Sequence, residues 1–172
     1  MFLKGCPREE IFPLQIKNRR RLVVFAALTA AWMAVIFLFS AQNGDESSGT
    51  SAEILALLCC IFRYSPDDSA RELLTLLIRK AAHMTEFGIL ALLWLGTLRA
   101  AGIPRYVFPA SFAASSLYAA TDEIHQLFVS DRAGRFTDWL IDSSGALLFL
   151  LIAWGISLLS ARSHRAESGD NL

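Results

Sequence analysis

The sequence has few of the features that define a disulfide-bonded, metal-binding or nucleic-acid-binding domain. Its three cysteines, Cys6, Cys59 and Cys60, predict neither a disulfide framework nor a metal-type Cys/His spacing. Basic and acidic residues, 16 of each, cancel to a formal net charge of zero, so no bulk attraction to nucleic acid is implied. We therefore expect no cofactor and no nucleic-acid partner, and we interpret Cys59 and Cys60 as small buried apolar side chains.

Apolar residues, by contrast, are abundant and gathered into long blocks. Hydrophobic residues make up 54% of the chain and the mean hydropathy is +0.43, well above an ordinary soluble domain. The first block runs without a charge from Leu22 to Phe39, directly after three arginines. It is longer than the core of a signal peptide, so we interpret it as a retained anchor rather than a cleaved signal.

The blocks predict an all-α, polytopic membrane protein with four transmembrane helices. The four spans are placed at about residues 22–39, 81–100, 106–129 and 138–160. Residues 40–51 are interpreted as a loop, with Asn43-Gly44 as its turn signal. An apolar run at 52–62 is too short to cross and predicts an interfacial or re-entrant helix. A second short helix is expected to start at Ser65, with proline at its first position.

The distribution of Lys and Arg predicts the orientation of these spans. The larger share of basic residues falls on one side when both termini are cytoplasmic, as the positive-inside rule requires. We therefore expect an integral membrane protein with both termini cytoplasmic. It would comprise a basic cytoplasmic tail at 1–21, a transmembrane domain at 22–160 and a cytoplasmic tail at 161–172.

This topology brings polar side chains from three spans and one loop to the outer membrane level. Charge at bilayer depth is costly and normally faces a partner, water or a site. The residues predicted to meet there are His83, Glu86, Asp122, Glu123, Gln126, Arg132, Arg135, Asp138 and Asp142. Asp122 and Gln126 are four residues apart and so share a helix face, as do Asp138 and Asp142. We expect a small polar pocket that opens to the outer leaflet.

Each member of this set also has a simpler interpretation. His83 and Glu86 can form an interfacial pair near a helix end. The acids of the third and fourth spans can mark helix ends at the headgroup level. Arg132 and Arg135 can be loop charges bound to lipid phosphate.

Four short motifs carry a resemblance to a known family. They are Lys80-x-x-His83-x-x-Glu86-Phe87, Asp122-Glu123-x-x-Gln126-x-Phe128, Arg132-x-Gly134-Arg135-x-x-Asp138 and Asp142-x-x-Gly145, preceded by Phe39-Ser40. Together they resemble the VanZ-like family of small bacterial membrane proteins, although the family usually has Tyr in place of Phe87 and often Asn in place of Asp142. The resemblance implies a role in the cell envelope, because the founding member is associated with resistance to the glycopeptide teicoplanin, which acts on cell-wall precursors.

Two functions are consistent with these residues. In the first, the protein acts on an envelope lipid or lipid-linked precursor, with His83 as general acid/base oriented by Glu86 and the arginines holding an anion. The catalytic residues are then His83, Glu86, Asp122 and Glu123, and the substrate-binding residues are Gln126, Arg132, Arg135, Asp138 and Asp142. In the second, the polar network is structural and the protein is a non-enzymatic interaction protein. A bound metal, a transport role and a homo-oligomer are weaker alternatives.

Overall fold

The computed structural model describes residues 19–103 and 105–169, with side chains described as far as Arg162. Within those ranges all regular structure is helical, as the predicted all-α class requires. The helices are α1 Arg19–Ser40, α2 Gly44–Phe62, α3 Asp68–Ala100, α4 Val107–Gln126 and α5 Phe136–Gly169. Cys6 and most of the predicted N-terminal tail lie outside the described residues, as do residues 170–172 of the predicted C-terminal tail.

Three helices of the described chain are long and apolar enough to cross a membrane. They are Arg19–Ser40, Asp68–Ala100 and Phe136–Arg162. The helix predicted as the third span, α4, is not among them, because serines and the adjacent Asp122 and Glu123 lower its apolar character. The predicted membrane class is therefore supported, whereas the count of four spans is not confirmed.

The prediction for the segment after α1 was wrong, because α2 begins at Gly44 rather than at residue 52. Asn43 is its N-cap and accepts a 2.8 Å hydrogen bond from the backbone N–H of Glu46. The Glu46 carboxylate accepts one of 3.2 Å from the backbone N–H of Asn43, which completes a capping box. The residues that we interpreted as a turn therefore start a helix, since Asn serves in both places.

The predicted burial of the two adjacent cysteines was also wrong. Cys59 is only partly buried and Cys60 is exposed, both near the end of α2. This helix packs mainly against α3, so much of its surface has no protein neighbour. Arg63 ends it with a left-handed backbone conformation, and its N–H donates to the carbonyl of Cys59.

The central element is α3, which combines two predicted helices into one. Its N-cap is Asp67 rather than Ser65, and the Asp67 side chain accepts a 2.8 Å hydrogen bond from the N–H of Ala70. Its 33 residues span about 50 Å at ~1.5 Å per residue, against a bilayer core of about 30 Å. All four other helices pack against it. The polar residues from Arg79 to Glu86 consequently lie part of the way along α3, not at its end.

The apolar core lies between α3 and the remaining long helices. One buried cluster comprises Ala91, Leu95, Val107, Ala146 and Leu150, and a second comprises Ile36, Phe87, Leu90 and Ala119. Phe87, one of the two residues that depart from the pattern of the VanZ-like family, is fully buried in the second cluster. A side chain at Gly145 of α5 would meet the backbone of Met84, so α3 and α5 approach each other closely at this point.

The connection between α4 and α5 is a tight turn rather than a continuation of the third span. The N–H groups of Leu127, Phe128 and Val129 donate to carbonyls three residues earlier, which tightens the last turn after Gln126. Asp131, within the connection, has a left-handed backbone conformation with a φ of 57°. α5 then begins at Phe136, and the connection contacts α4 through Gly134 and Arg135, which lie against Glu123 near the end of α4.

Candidate functional site

Most of the predicted site residues line one pocket of about 510 Å³ between α3, α4, the α4–α5 connection and α5. Its lining comprises Leu76, Arg79, Lys80, His83, Glu123, Gln126, Asp131, Arg132, Ala133, Arg135, Thr137, Asp138, Ile141 and Asp142. Among the nine residues predicted from the sequence, Glu86 and Asp122 are outside this lining. Arg79, Lys80 and Asp131 are charged lining residues that the sequence-based set omitted.

His83 lies between two carboxylates. Its Nδ1 is 3.9 Å from Oε2 of Glu86 and 3.9 Å from Oδ1 of Asp142. Both separations exceed a hydrogen bond but are short enough for charge interaction. His83 Nδ1 and Asp142 Oδ2 are buried without a hydrogen-bond partner among the described residues. The imidazole therefore has two carboxylates nearby, of which Asp142 lines the pocket and Glu86 does not.

Glu86 is positioned partly by α1. The indole N–H of Trp32 donates a 2.9 Å hydrogen bond to the backbone carbonyl of Glu86. This bond joins α1 to α3 about one helical turn after His83. The predicted role of Glu86 in orienting His83 fits this arrangement and stays a prediction.

Lys80 and Asp138 form an ion pair that joins α3 to the first turn of α5. Each side chain is 26% exposed, so the pair lies at the edge of the pocket rather than in its depth. A carboxylate in the first turn of a helix is additionally favoured by the helix dipole. Lys80 is the first residue of the motif Lys80-x-x-His83-x-x-Glu86-Phe87, so the sequence already marked it, although the set of candidate site residues omitted it.

Glu123 fixes the α4–α5 connection in place. Its Oε2 accepts a 2.7 Å hydrogen bond from the backbone N–H of Arg135. A side chain at Gly134 would meet the backbone carbonyl of Glu123, so the connection lies directly against α4. The contact between Arg135 and Glu123 thus uses the backbone of the arginine, and the residue itself is exposed.

Asp122 faces a different neighbour from Glu123. It is only 4% exposed and accepts a 2.9 Å hydrogen bond from the side-chain amide of Gln126. The hydroxyl of Ser40, at the end of α1, lies beside it and is also 3.4 Å from Nδ1 of His125. Asp122 therefore belongs to the contact between α1 and α4. Ser40 is a member of this network that the set of candidate residues omitted, although the Phe39-Ser40 motif marked it.

Three arginines line the pocket and none forms an ion pair with a carboxylate of the described chain; two of them donate to uncharged oxygen atoms. Arg79 donates a 3.4 Å hydrogen bond to the hydroxyl of Ser48, and Arg132 donates one of 3.5 Å to the carbonyl of Phe39. Within the described chain neither forms an ion pair, and Nε of Arg132 is buried without a partner. Burial, followed by the charge of Arg79, lowers the pKa of Arg132, but a guanidinium keeps its proton in proteins. The two guanidinium groups thus form no direct ion pair, although four carboxylates line the same pocket, those of Glu123, Asp131, Asp138 and Asp142.

These residues can bind an anion and move a proton beside it. The two guanidinium groups supply several N–H donors of the kind that phosphate oxygens accept. The His83 ring and the Asp142 carboxylate supply a proton donor and acceptor within the same lining. No group of three or more His, Cys, Asp or Glu residues suited to hold a metal ion is present in the described ranges.

Comparison with known proteins gives a family and no closer relative. No curated protein and no solved structure matches the chain. Residues 25–159 match the family model described as VanZ/LLP1, and this range includes every predicted site residue and all of α2, α3 and α4. Because the match covers well over half of the sequence, the chain belongs to the VanZ/LLP1 family.

Proposed function

We propose that this membrane protein binds the phosphate-bearing headgroup of an envelope lipid or a lipid-linked cell-wall precursor in the pocket between α3 and α5. The observation that carries the proposal is the placement of Arg79 and Arg132, two guanidinium groups without a carboxylate partner in the described chain, in one lining. A volume of about 510 Å³ is within the usual range for small-molecule sites and larger than one phosphate group needs. A role in teicoplanin susceptibility is part of the same proposal, through the precursors on which that antibiotic acts.

The pocket in this proposal opens to the outer leaflet of the bacterial cytoplasmic membrane. α4 is then a fourth span, α2 lies at the outer surface and both termini are cytoplasmic. Buried polar residues support a spanning α4, since Ser111, Ser115 and Glu123 face the protein whereas Leu117 and Ile124 are exposed. Small hydroxyl residues also let helices approach closely in a bilayer.

The topology can be tested by cysteine labelling from outside the cell. In a chain without native cysteines, Ala133→Cys in the α4–α5 connection should react with a membrane-impermeant maleimide. Ala161→Cys, at the other end of α5, should react only after the membrane is opened. The reverse pattern would place the pocket on the cytoplasmic side and refute the proposed orientation.

Headgroup binding can be tested with phosphatidic acid as the probe. The protein is reconstituted in phosphatidylcholine nanodiscs that contain a minor fraction of phosphatidic acid, and retained lipid is counted by native mass spectrometry. Arg132→Gln should weaken retention about tenfold, because a charge-assisted hydrogen bond contributes roughly 1.5–3 kcal/mol. Arg79→Gln should act in the same direction.

A matched control is available on the same helix. Arg71 is exposed and lies two turns before Arg79, outside the pocket lining. Arg71→Gln removes the same charge and should leave retention of phosphatidic acid unchanged. Equal losses in the Arg71 and Arg79 variants would mean that surface charge alone attracts the lipid, and the pocket would then have no part in binding.

In the second candidate function, the polar residues of the pocket form a structural network that holds the helices together and catalyses no reaction. Two contacts within the lining favour it. Lys80 is paired with Asp138, and Glu123 with the backbone of Arg135, so part of the polar lining is satisfied internally. The two candidate functions predict different effects of His83→Ala on membrane abundance and on the envelope-lipid profile. If the variant reaches normal membrane abundance but loses the change in envelope-lipid profile that the wild type causes, the site is chemically active. If abundance and profile fall together, the network is structural.

A further inference from the structure

A second concave surface adjoins the headgroup pocket. It is a groove of about 400 Å³ between α4 and α5, and its outward side is formed by Ile124, Leu127, Phe136 and Trp139. Ile124, Leu127 and Phe136 are each more than half exposed, at 57%, 61% and 70%. On membrane-spanning helices such surfaces meet lipid chains. With α4 as a fourth span, as proposed above, this mostly apolar groove faces the hydrocarbon region of the bilayer.

The groove and the pocket share part of their walls. Glu123 and Arg135 line both, and the 2.7 Å hydrogen bond between them lies along the boundary. The indole of Trp139 is held in the groove wall, because its N–H donates a 2.9 Å hydrogen bond to the carbonyl of Ser116. The ring of Phe136 packs against it with centroids 5.1 Å apart. A charged cavity and a preformed apolar groove thus meet at a single pair of residues.

We infer that the ligand is a lipid still embedded in the bilayer, with its headgroup in the pocket and its hydrocarbon chain in the groove between α4 and α5. This inference rests on the proposed headgroup binding and names the class of ligand. A water-soluble phosphate compound would gain nothing from an apolar surface that adjoins the pocket at Glu123 and Arg135. A lipid that enters sideways between α4 and α5 uses both surfaces at once.

The other groove that adjoins the pocket suits a chain less well. It lies between α2 and α3 and meets the pocket at Leu76 and Arg79. Its remaining lining includes Arg71, Glu72 and Ser48, so a hydrocarbon chain there would lie against charged and hydroxyl groups. Both linings include charged residues, but the α4/α5 groove presents four large apolar side chains whereas the α2/α3 groove presents one, Leu76, so we assign the chain to the α4/α5 groove.

The groove is expected to set where the chain lies more than how tightly the lipid binds. A chain that moves from the bilayer into the groove leaves one apolar environment for another, so it gains little from the hydrophobic effect. The affinity for the lipid then comes from contacts of its headgroup, and the groove determines where its hydrocarbon chain lies. The test must accordingly report the location of the chain.

Photolabelling measures that location. Phosphatidic acid with a diazirine on its acyl chain, close to the glycerol, is added to nanodiscs of the reconstituted protein, irradiated and mapped by mass spectrometry. Phosphatidylcholine with the same diazirine chain measures labelling by ordinary surrounding lipid. The phosphatidic acid probe should label the peptides that contain Ile124 and Trp139 several-fold more than the phosphatidylcholine probe does.

Variants that fill the groove should remove this excess. Ala120→Trp places an indole in the groove, and Leu127→Trp does so from its exposed edge, where folding is little affected. Both should lower groove labelling several-fold. The matched control is Ala113→Trp, on an exposed part of α4 outside the groove, which should leave the labelling unchanged.

The outcomes separate this inference from the function on which it rests. Equal groove labelling by both probes, or labelling confined to α2 and the start of α3, would overturn the inference. If retention of phosphatidic acid depends on Arg132 while the groove stays unlabelled, the headgroup proposal stands and the chain path is wrong. If the wild type does not retain phosphatidic acid over phosphatidylcholine, the headgroup proposal fails and the inference fails with it.

Discussion

Replacement of Gly145 by alanine should separate α3 and α5, two of the helices that line the pocket. A Cβ atom at this position would lie 2.6 Å from Cα and 2.7 Å from the carbonyl carbon of Met84. Carbon atoms in contact are normally about 3.5–4.0 Å apart, so α5 and α3 must move by about 1 Å. Both neighbours are backbone atoms, which cannot rotate away as a side chain can.

The cost can be set against a matched substitution on the same helix. Overpacking of this kind costs about 1–3 kcal/mol. Gly155→Ala introduces a methyl group where no other atom lies within 4 Å. Each variant gains about 0.5–1 kcal/mol from the higher helix propensity of alanine, so the difference between the two isolates the close contact with Met84.

The comparison can be made by following intrinsic tryptophan fluorescence on heating, with both variants in the same detergent. Gly145→Ala should melt several degrees below Gly155→Ala, since about 1 kcal/mol corresponds to ~2–4 °C in a chain of this size. It should also weaken retention of phosphatidic acid, because His83 and Asp142 adjoin the displaced contact. Equal melting temperatures would show that α3 and α5 are not in contact at Met84, and the pocket geometry would need revision.

Three further substitutions test individual contacts. Lys80→Met leaves Asp138 without its partner and should lower the free energy of unfolding by about 1 kcal/mol, because the pair is partly exposed. In a double-mutant cycle, adding Asp138→Leu should restore most of this loss. If the effects of the two substitutions were simply additive, the pairing would be contradicted. Trp139→Phe removes the hydrogen bond to Ser116 and should lower the free energy of unfolding by about 1 kcal/mol, with an unchanged melting curve as the contrary result. Asn43→Ala removes the cap of α2 and should cost about 1 kcal/mol, seen as faster hydrogen exchange confined to the first turn of α2, and unaltered exchange there would exclude the capping role.

Helical spacing predicted which residues share a face but not which face points inward. Asp138 and Asp142 both line the pocket, as their four-residue separation implies. Asp122 and Glu123 were equally good candidates, because adjacent residues differ by about 100° around a helix and the rotation of α4 was unknown. The structure directs Glu123 to the pocket and Asp122 to α1. That choice depends on packing between distant segments, which spacing along one helix does not contain.

The errors at helix ends have local causes. Asn43-Gly44 is a turn signal, and Asn-x-x-Glu is a capping box, so the same residues supported two interpretations. The capping box forms in the structure, where the N–H of Gly44 also donates to the carbonyl of Ser130. This bond connects the start of α2 to the α4–α5 connection. The pairing of Lys80 with Asp138 was likewise beyond the sequence, since it requires α3 and α5 to be aligned at one level.

The lower average hydropathy of α4 is consistent with a membrane-spanning helix that forms one wall of a polar pocket. Average hydropathy counts every face of a helix, so it underestimates a helix whose polar residues face inward. In α4 the hydroxyl of Ser116 is 2.8 Å from that of Ser143 on α5, whereas Leu117, its neighbour in sequence, is 68% exposed. A helix that presents polar side chains to a pocket and to neighbouring helices, and apolar side chains to lipid, must have intermediate average hydropathy. The composition that sets α4 apart from α1, α3 and α5 is therefore the composition that the proposed site requires of it.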